Sequence, residues 1–270
     1  MSSSSGSEGG ADDGELHALA LEAAVAGVTA IRALVAGGAT GDDRLAVADK
    51  GGVEDFVTNA DLAAEEAITS VIRTARPDDE IIAEESGVSC GTSGVRWYVD
   101  PLDGTANLVA GRPDYAVSIA AHRQGRPVAA VVYRPADLCW LASSANGELR
   151  GNLRPTINDP DRLSAATVSL SRPHDPGRHA EAMRLREVLT PLVATERRVG
   201  SAACALLEVV TGRLDAYVSV DIPAWDTAAG HGLVELAGGT VAVTRLSSGT
   251  PVTIAAGPRL AALLAAAVGG

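Results

Sequence analysis

The chain has 270 residues, a formal net charge of −12 and 46% hydrophobic residues. That length supports a sizeable core in one or two compact units. The acidic balance argues against a nucleic-acid surface, which needs concentrated Lys and Arg, and means that a small phosphorylated ligand would require a local reversal of potential such as a bound divalent cation.

The segment from Ser2 to Gly14 is rich in Ser, Gly and acidic residues and is expected to be a disordered tail over residues 1–14, leaving 15–270 as a single domain. Within it an N-terminal part is expected to about residue 150 and a C-terminal part from about 151. No basic and apolar leader pattern opens the chain, and Cys90, Cys139 and Cys204 stand far apart with no CxxC pair, so a cytoplasmic location is expected. The longest apolar runs are Ala-rich and broken by charge or Gly, so no membrane span of roughly 20 apolar residues is expected.

From Glu15 to Val35 apolar residues recur at helical spacing, and Gly37-Gly38 is a stop signal. Thr58 to Asp61 has the form of a capping box ahead of a second helix that ends before Pro77. Ile81-Ile82-Ala83 and Trp97-Tyr98-Val99 are short strands that run directly into Glu84-Glu85 and Asp100. Tyr115 to His122 and Pro127 to Tyr133 flank a turn at Gln124-Gly125-Arg126, and Trp140 to Ser143 adds a further strand to an antiparallel meander. Helices are expected at about His179 to Leu192, Ala202 to Val210, Asp226 to Ala237 and after Pro258, with strands near Val168 to Leu170 and Ala216 to Val218. The irregular alternation indicates an α+β layered fold.

The most informative stretch runs from Trp97 to Asn107. A strand ends on Asp100, Pro101 turns the chain, and Asp103 can return to the same point; two carboxylates so placed repel unless a cation lies between them. Gly104 permits close backbone approach, and N–H groups at the next turn or helix start can hold a phosphate oxygen. An Asp-rich turn would use the same residues for conformation alone. Glu84-Glu85 alone reads as a solvated strand end, and Asp61 and Asp226 alone as helix caps.

Read together, Asp55 to Asp61, Glu84-Glu85-Ser86, Asp100 to Asn107 and Trp225 to Gly230 followed by Gly238-Gly239 resemble, in order and spacing, the signatures of the inositol monophosphatase family. The resemblance runs from about Glu15 to near the C-terminus. It implies a layered αβαβα sandwich, a homodimer, and a phosphatase with two or three Mg²⁺ ions per active site. In that scheme Glu84, Asp100 and the Leu102 carbonyl hold one metal, and Asp100, Asp103 and Asp226 the second. Asp61 and Thr105 form a pair that, with Glu84, activates the attacking water. Gly104 and Thr105 hold the phosphate, and Asp103, Gly200, Ser201, Ala202 and Ser219 face the alcohol half of the substrate. Lys50 matches a basic position near a mobile metal loop, where a solvated lysine is an equal reading.

Ser219 stands seven residues before Asp226, where animal inositol enzymes of the family place a glutamate, and a neutral hydroxyl cannot make the same charge-assisted contact. Asp221 is an alternative partner for the substrate. Leu108 and Ala83 replace a usual phenylalanine and glycine. The expected substrate is inositol-1-phosphate or a similar polyol phosphate, with histidinol phosphate, fructose 1,6-bisphosphate and 3′-phosphoadenosine 5′-phosphate as alternatives. A non-catalytic binder of phosphorylated ligands would be expected to lack one of Asp61, Glu84, Asp100, Asp103, Thr105 and Asp226, and all are present. The five histidines have no ligand-like spacing, and Trp97 and Trp225 are expected as packing anchors.

Overall fold

A computed structural model describes residues 5–37, 47–49, 56–171, 173 and 176–269. Lys50, Asp55 and His174 lie outside the described residues. In chain order the N-terminal half contains α1 (Ser5–Gly37), β1 (Val47–Asp49), β2 (Phe56–Thr58), α2 (Asn59–Ala75), β3 (Glu80–Ala83), β4 (Gly87–Ser89), β5 (Val95–Asp103), α3 (Thr105–Val109), β6 (Ala116–Arg123), β7 (Arg126–Tyr133), β8 (Trp140–Ser143) and β9 (Leu149–Gly151). The C-terminal half contains β10 (Thr167–Leu170), α4 (His179–Leu189), β11 (Thr195–Arg197), α5 (Ala202–Val210), β12 (Ala216–Val220), α6 (Ala224–Leu236), β13 (Thr240–Arg245), β14 (Pro251–Ala256) and α7 (Pro258–Gly269).

The strands form a seven-stranded sheet in the order β4-β3-β5-β6-β7-β8-β9, a five-stranded sheet in the order β11-β10-β12-β14-β13, and the small pair β1-β2. β3 and β5 are parallel, as are β10 with β11 and β12; the other pairings are antiparallel. Alternation along each strand builds the layers. On β6, Val117, Ile119 and Ala121 face the core under α1 and α2, whereas Ala116 and Ala120 face α5 and α6. On β12, Tyr217 joins that middle layer, whereas Ala216 and Val218 pack with Leu185 of α4 and Leu260 and Leu264 of α7. The result is helix, sheet, helix, sheet, helix, the layered sandwich expected from the sequence. Each large side chain taken fully out of water, Trp97, Ile119 and Leu206 among them, contributes about 1.5–3 kcal/mol.

α1 bears on two expectations. Its backbone is helical from Ser5, where a disordered tail was expected, because a nucleated helix propagates through polar residues and Asp13 is held by Arg123 at 2.7 Å. From Asp13 to Ala36 it also has 24 residues at a mean hydropathy of 1.8, enough by length and composition to cross a membrane. Its apolar stripe is nevertheless spent on the core: Leu16, Ala23, Ala24 and Ile31 are fully buried. Gly27 lets α1 approach α2 closely, since a Cβ there would stand 2.7 Å from Ile68 Cδ1 and Ile68 would have to shift.

α6 carries a partly buried histidine. His231 lies with Tyr98, His122, Pro127, Thr227 and Glu235 around a second cavity of about 250 Å³, and its Nε2 has no hydrogen-bond partner among the described residues. Burial pushes its pKa down to about 4 from 6.5. The unfolded chain therefore takes up a proton that the folded chain refuses, and stability is present above pH 6.5 and lost as pH falls toward 4. The loss is on the order of 3 kcal/mol at 1.36 kcal/mol per pKa unit. Urea melts at pH 7 and 4.5 should show the acid penalty shrinking by that order in His231→Gln; an unchanged difference would exclude His231 as its source.

Candidate active site

The site gathers where β5 leaves its sheet. Pairing with β6 runs regularly to Asp100, breaks, and resumes at Asp103, and this irregularity turns both carboxylates the same way. The Leu102 N–H donates to Asp100 Oδ1 at 2.9 Å, closing the turn. Gly104 follows at φ 98°, a left-handed conformation in which a Cβ would lie 2.8 Å from the Asp114 carbonyl oxygen, so only glycine fits before α3. Thr105 then donates from Oγ1 to Asp61 Oδ1 at 2.8 Å, and the same oxygen lies 3.0 Å from the Leu102 carbonyl.

Asp61 is fully buried at the start of α2, where its other oxygen accepts the Thr58 backbone N–H at 2.9 Å and the Thr58 hydroxyl at 2.5 Å. One oxygen of Asp61 thus closes the capping box and the other accepts the Thr105 hydroxyl. From the opposite wall, Ser201 Oγ and the Ala203 N–H donate to Asp103 Oδ2 at 2.7 and 2.5 Å. Ser201 also caps α5 through the Cys204 N–H. Asn107 ties the two walls together by donating to the carbonyls of Asp114 and Val199 at 2.7 and 2.9 Å. Ser118 Oγ donates to the Trp225 carbonyl at 3.1 Å, which fixes the start of α6 beside Asp226.

These elements enclose a cavity of about 460 Å³ lined by Glu84, Asp100, Leu102, Asp103, Gly104, Thr105, Gly200, Ser201, Ala202 and Asp226. Asp61 stands behind it, through Thr105. Ser219 is not in the lining: it is buried in β12 opposite Thr253, so its expected contact with substrate is withdrawn. Asp221 is exposed and paired with Arg178 at 2.9 Å. The wall is completed instead by Ser169 and Ser171 at the end of β10, Tyr217 of β12, Ile222, and Arg112 and Arg198. The signal available for the serines was their alternation around Leu170 in an otherwise apolar strand.

Burial raises the Asp100 pKa well above the ordinary carboxylate range, and the charges of Glu84, Asp103 and Asp226 raise it further. Asp103 is pushed up to about 7 by burial, against hydrogen bonds from Ser201 and Ala203 that favour its charged form. Among the described residues no three His, Cys, Asp or Glu side chains form a group ready to hold a metal ion, so the expected ligand set lines one cavity without closing into a cluster. The chemistry of the donors fits a hard cation: carboxylates and a carbonyl, with no imidazole or thiol in the lining.

A layered sandwich with this carboxylate cavity at the end of a central strand defines a phosphatase, a phosphoric monoester hydrolase. The chain belongs to the Inositol monophosphatase family, which it matches over residues 15–268. It is 40% identical over 192 residues to an inositol-1-monophosphatase of Rhizobium meliloti, covering 70% of this chain and 72% of that one. It is also 40% identical over 190 residues to the Nus factor SuhB of Pasteurella multocida, covering 69% and 71%. The crystal structure of the extragenic suppressor protein SuhB of Bartonella henselae superposes with a TM-score of 0.79 at 32% identity, covering 93% of this chain and 96% of that one.

Proposed function

We propose that this phosphatase hydrolyses a small polyol phosphate, with inositol-1-phosphate as the first candidate, and uses Mg²⁺ held by Glu84, Asp100, the Leu102 carbonyl, Asp103 and Asp226. The observation that carries the reading is a set of four carboxylates in one cavity, three buried aspartates and the half-buried Glu84, whose mutual repulsion a hard divalent cation would relieve. When bound, two or three such ions supply Lewis acidity toward phosphoryl oxygens and lower the pKa of a coordinated water.

The chain's own residues set the rest. The Thr105 hydroxyl donates a hydrogen bond to Asp61, so a lone pair on its oxygen remains to accept a hydrogen bond from water, and Glu84 offers a carboxylate for the same water. The phosphate is placed against the N–H groups of Gly104 and Thr105, which open α3 and precede its internal hydrogen bonds. Gly200, Ser201 and Ala202 face the alcohol half, with Ser169, Ser171 and Tyr217 beyond them. Asp103 keeps only one oxygen for metal or substrate, because Ser201 and Ala203 hold the other. A single-domain, cytoplasmic homodimer completes the proposal.

The Nus factor name of the Pasteurella relative attaches a different role to a protein of this family. The intact Thr105–Asp61 pair favours turnover here. Phosphate release should be measured for inositol-1-phosphate, histidinol phosphate, fructose 1,6-bisphosphate and 3′-phosphoadenosine 5′-phosphate, with Mg²⁺ and with EDTA. Release of inositol-1-phosphate's phosphate only with Mg²⁺ is expected; preference for another compound corrects the substrate, and no release from any overturns the reading.

A further inference from the structure

α2 presents a second acidic side chain four residues after Asp61, on the same buried face of the helix. Glu65 is only 5% exposed, and its carboxylate accepts two backbone N–H groups, Glu85 at Oε2 and Ser86 at Oε1, both at 2.8 Å. Those two amides form the turn immediately after Glu84. Glu84 is tied on its other side as well, since its own N–H donates to the Val99 carbonyl, one residue before Asp100, at 3.1 Å.

From this bidentate grip we infer that Glu65 is a positioning residue: it fixes the turn that aims the Glu84 carboxylate at the cation site, while Asp61 on the same helix face fixes Thr105. The inference rests on the proposed Mg²⁺ site. Only a glutamate serves both amides. Two N–H donors side by side need two acceptor oxygens; glutamine would offer one, and would turn an NH₂ group toward the second amide. Aspartate keeps both oxygens on a stem one methylene shorter, so it must give up one contact or pull the turn toward α2. The two carboxylates divide the work of one helix: through Asp61 it orients the hydroxyl that meets water, and through Glu65 the metal-binding edge of β3.

The test compares the full-length wild type with Glu65→Gln, Glu65→Asp and the stability control Ile72→Val, which is buried in α2 seven residues beyond Glu65. Mg²⁺ binding is measured directly by calorimetry, alongside thermal melting in EDTA and the Mg²⁺ dependence of phosphate release. Loss of an outer partner of a metal ligand typically weakens affinity about 10–100-fold. A rise of that size in the Mg²⁺ dissociation constant is expected for Glu65→Gln and Glu65→Asp, with kcat lowered as well because Glu84 also faces the attacking water. Ile72→Val should leave the constant unchanged. If Glu65→Gln is not recovered folded, Glu65→Asp carries the measurement. Lowered melting temperatures with an unchanged Mg²⁺ constant would make Glu65 a structural residue only and overturn the inference. A wild type that neither binds Mg²⁺ nor releases phosphate would overturn the proposed function, and the inference with it.

Discussion

Asp100→Asn should reduce Mg²⁺-dependent phosphate release about 10³-fold or more and, at the same time, raise the melting temperature of the metal-free protein. The two effects have one cause. Asp100 is 1% exposed and faces the charges of Glu84, Asp103 and Asp226, so its ionised form is tolerable only with a cation beside it. Its folded pKa lies above the unfolded value, which means that its charge detracts from stability as pH rises past the ordinary carboxylate range. Asparagine keeps the acceptor for the Leu102 N–H and removes the charge. A gain of about 1–2 kcal/mol would raise the melting temperature in EDTA by several degrees. The lost rate follows from the loss of several kcal/mol of charge stabilisation around the phosphoryl group, at 1.36 kcal/mol per tenfold. Added Mg²⁺ should raise the melting temperature of the wild type and do little for the variant. Melting curves with and without Mg²⁺, beside phosphate release, decide the matter. A variant that melts lower in EDTA, or keeps more than a tenth of its activity, would show that Asp100 is not the residue on which the cation site turns.

Local signals mark four of the site's carboxylates, and only the family resemblance joins them with Glu84 into one set. Asp100 and Asp103 flank Pro101 at a strand end, Asp61 sits in a capping box, and Asp226 opens a helix. Such signals depend on neighbours in the chain. The wall built by Ser169, Ser171 and Tyr217 depends instead on β10 and β12 lying parallel and adjacent, a pairing between segments nearly fifty residues apart that no local pattern announces. Glu65 was hidden for a related reason. In an amphipathic helix a glutamate is ordinarily assigned to the solvent face, and only the fold shows that this one points at the turn after β3. β11 has three largely exposed polar residues, Thr195 to Arg197, and offers neither alternation nor apolar run to detect. α3, at five residues, is too short for helical periodicity. β13 and β14 both carry β-branched residues at strand spacing, a signal the sequence does hold. The Ser219 contact failed because spacing along β12 fixes which face a side chain takes but not how far along the strand the cavity reaches. Tyr217, two residues earlier on that face, lines it.

Asp61→Asn should lower kcat about 100-fold or more while KM stays within about threefold, and should also cost about 1–3 kcal/mol of stability. The reason lies in the count of donors. Three groups donate to the Asp61 carboxylate: the Thr58 N–H, the Thr58 hydroxyl and the Thr105 hydroxyl. An amide supplies one oxygen, so one side must face an NH₂ group. If that NH₂ faces Thr58, it meets a backbone N–H that cannot rotate away, and the α2 cap is lost. If it faces Thr105, it occupies the hydroxyl oxygen as a donor and sends the hydroxyl proton to the Leu102 carbonyl, already 3.0 Å away. Thr105 then has one fewer lone pair to accept from water, and the rate falls although nothing that binds the phosphate has moved. Thr105→Val separates the two contributions, since it removes the hydroxyl and leaves the capping box whole. It should show the rate loss of Asp61→Asn with little of its instability, measured by kcat and by urea melts on the same preparations. Equal instability in both variants, or a normal kcat in either, would mean that the Thr105–Asp61 hydrogen bond serves to hold α3 against α2 and takes no part in orienting water.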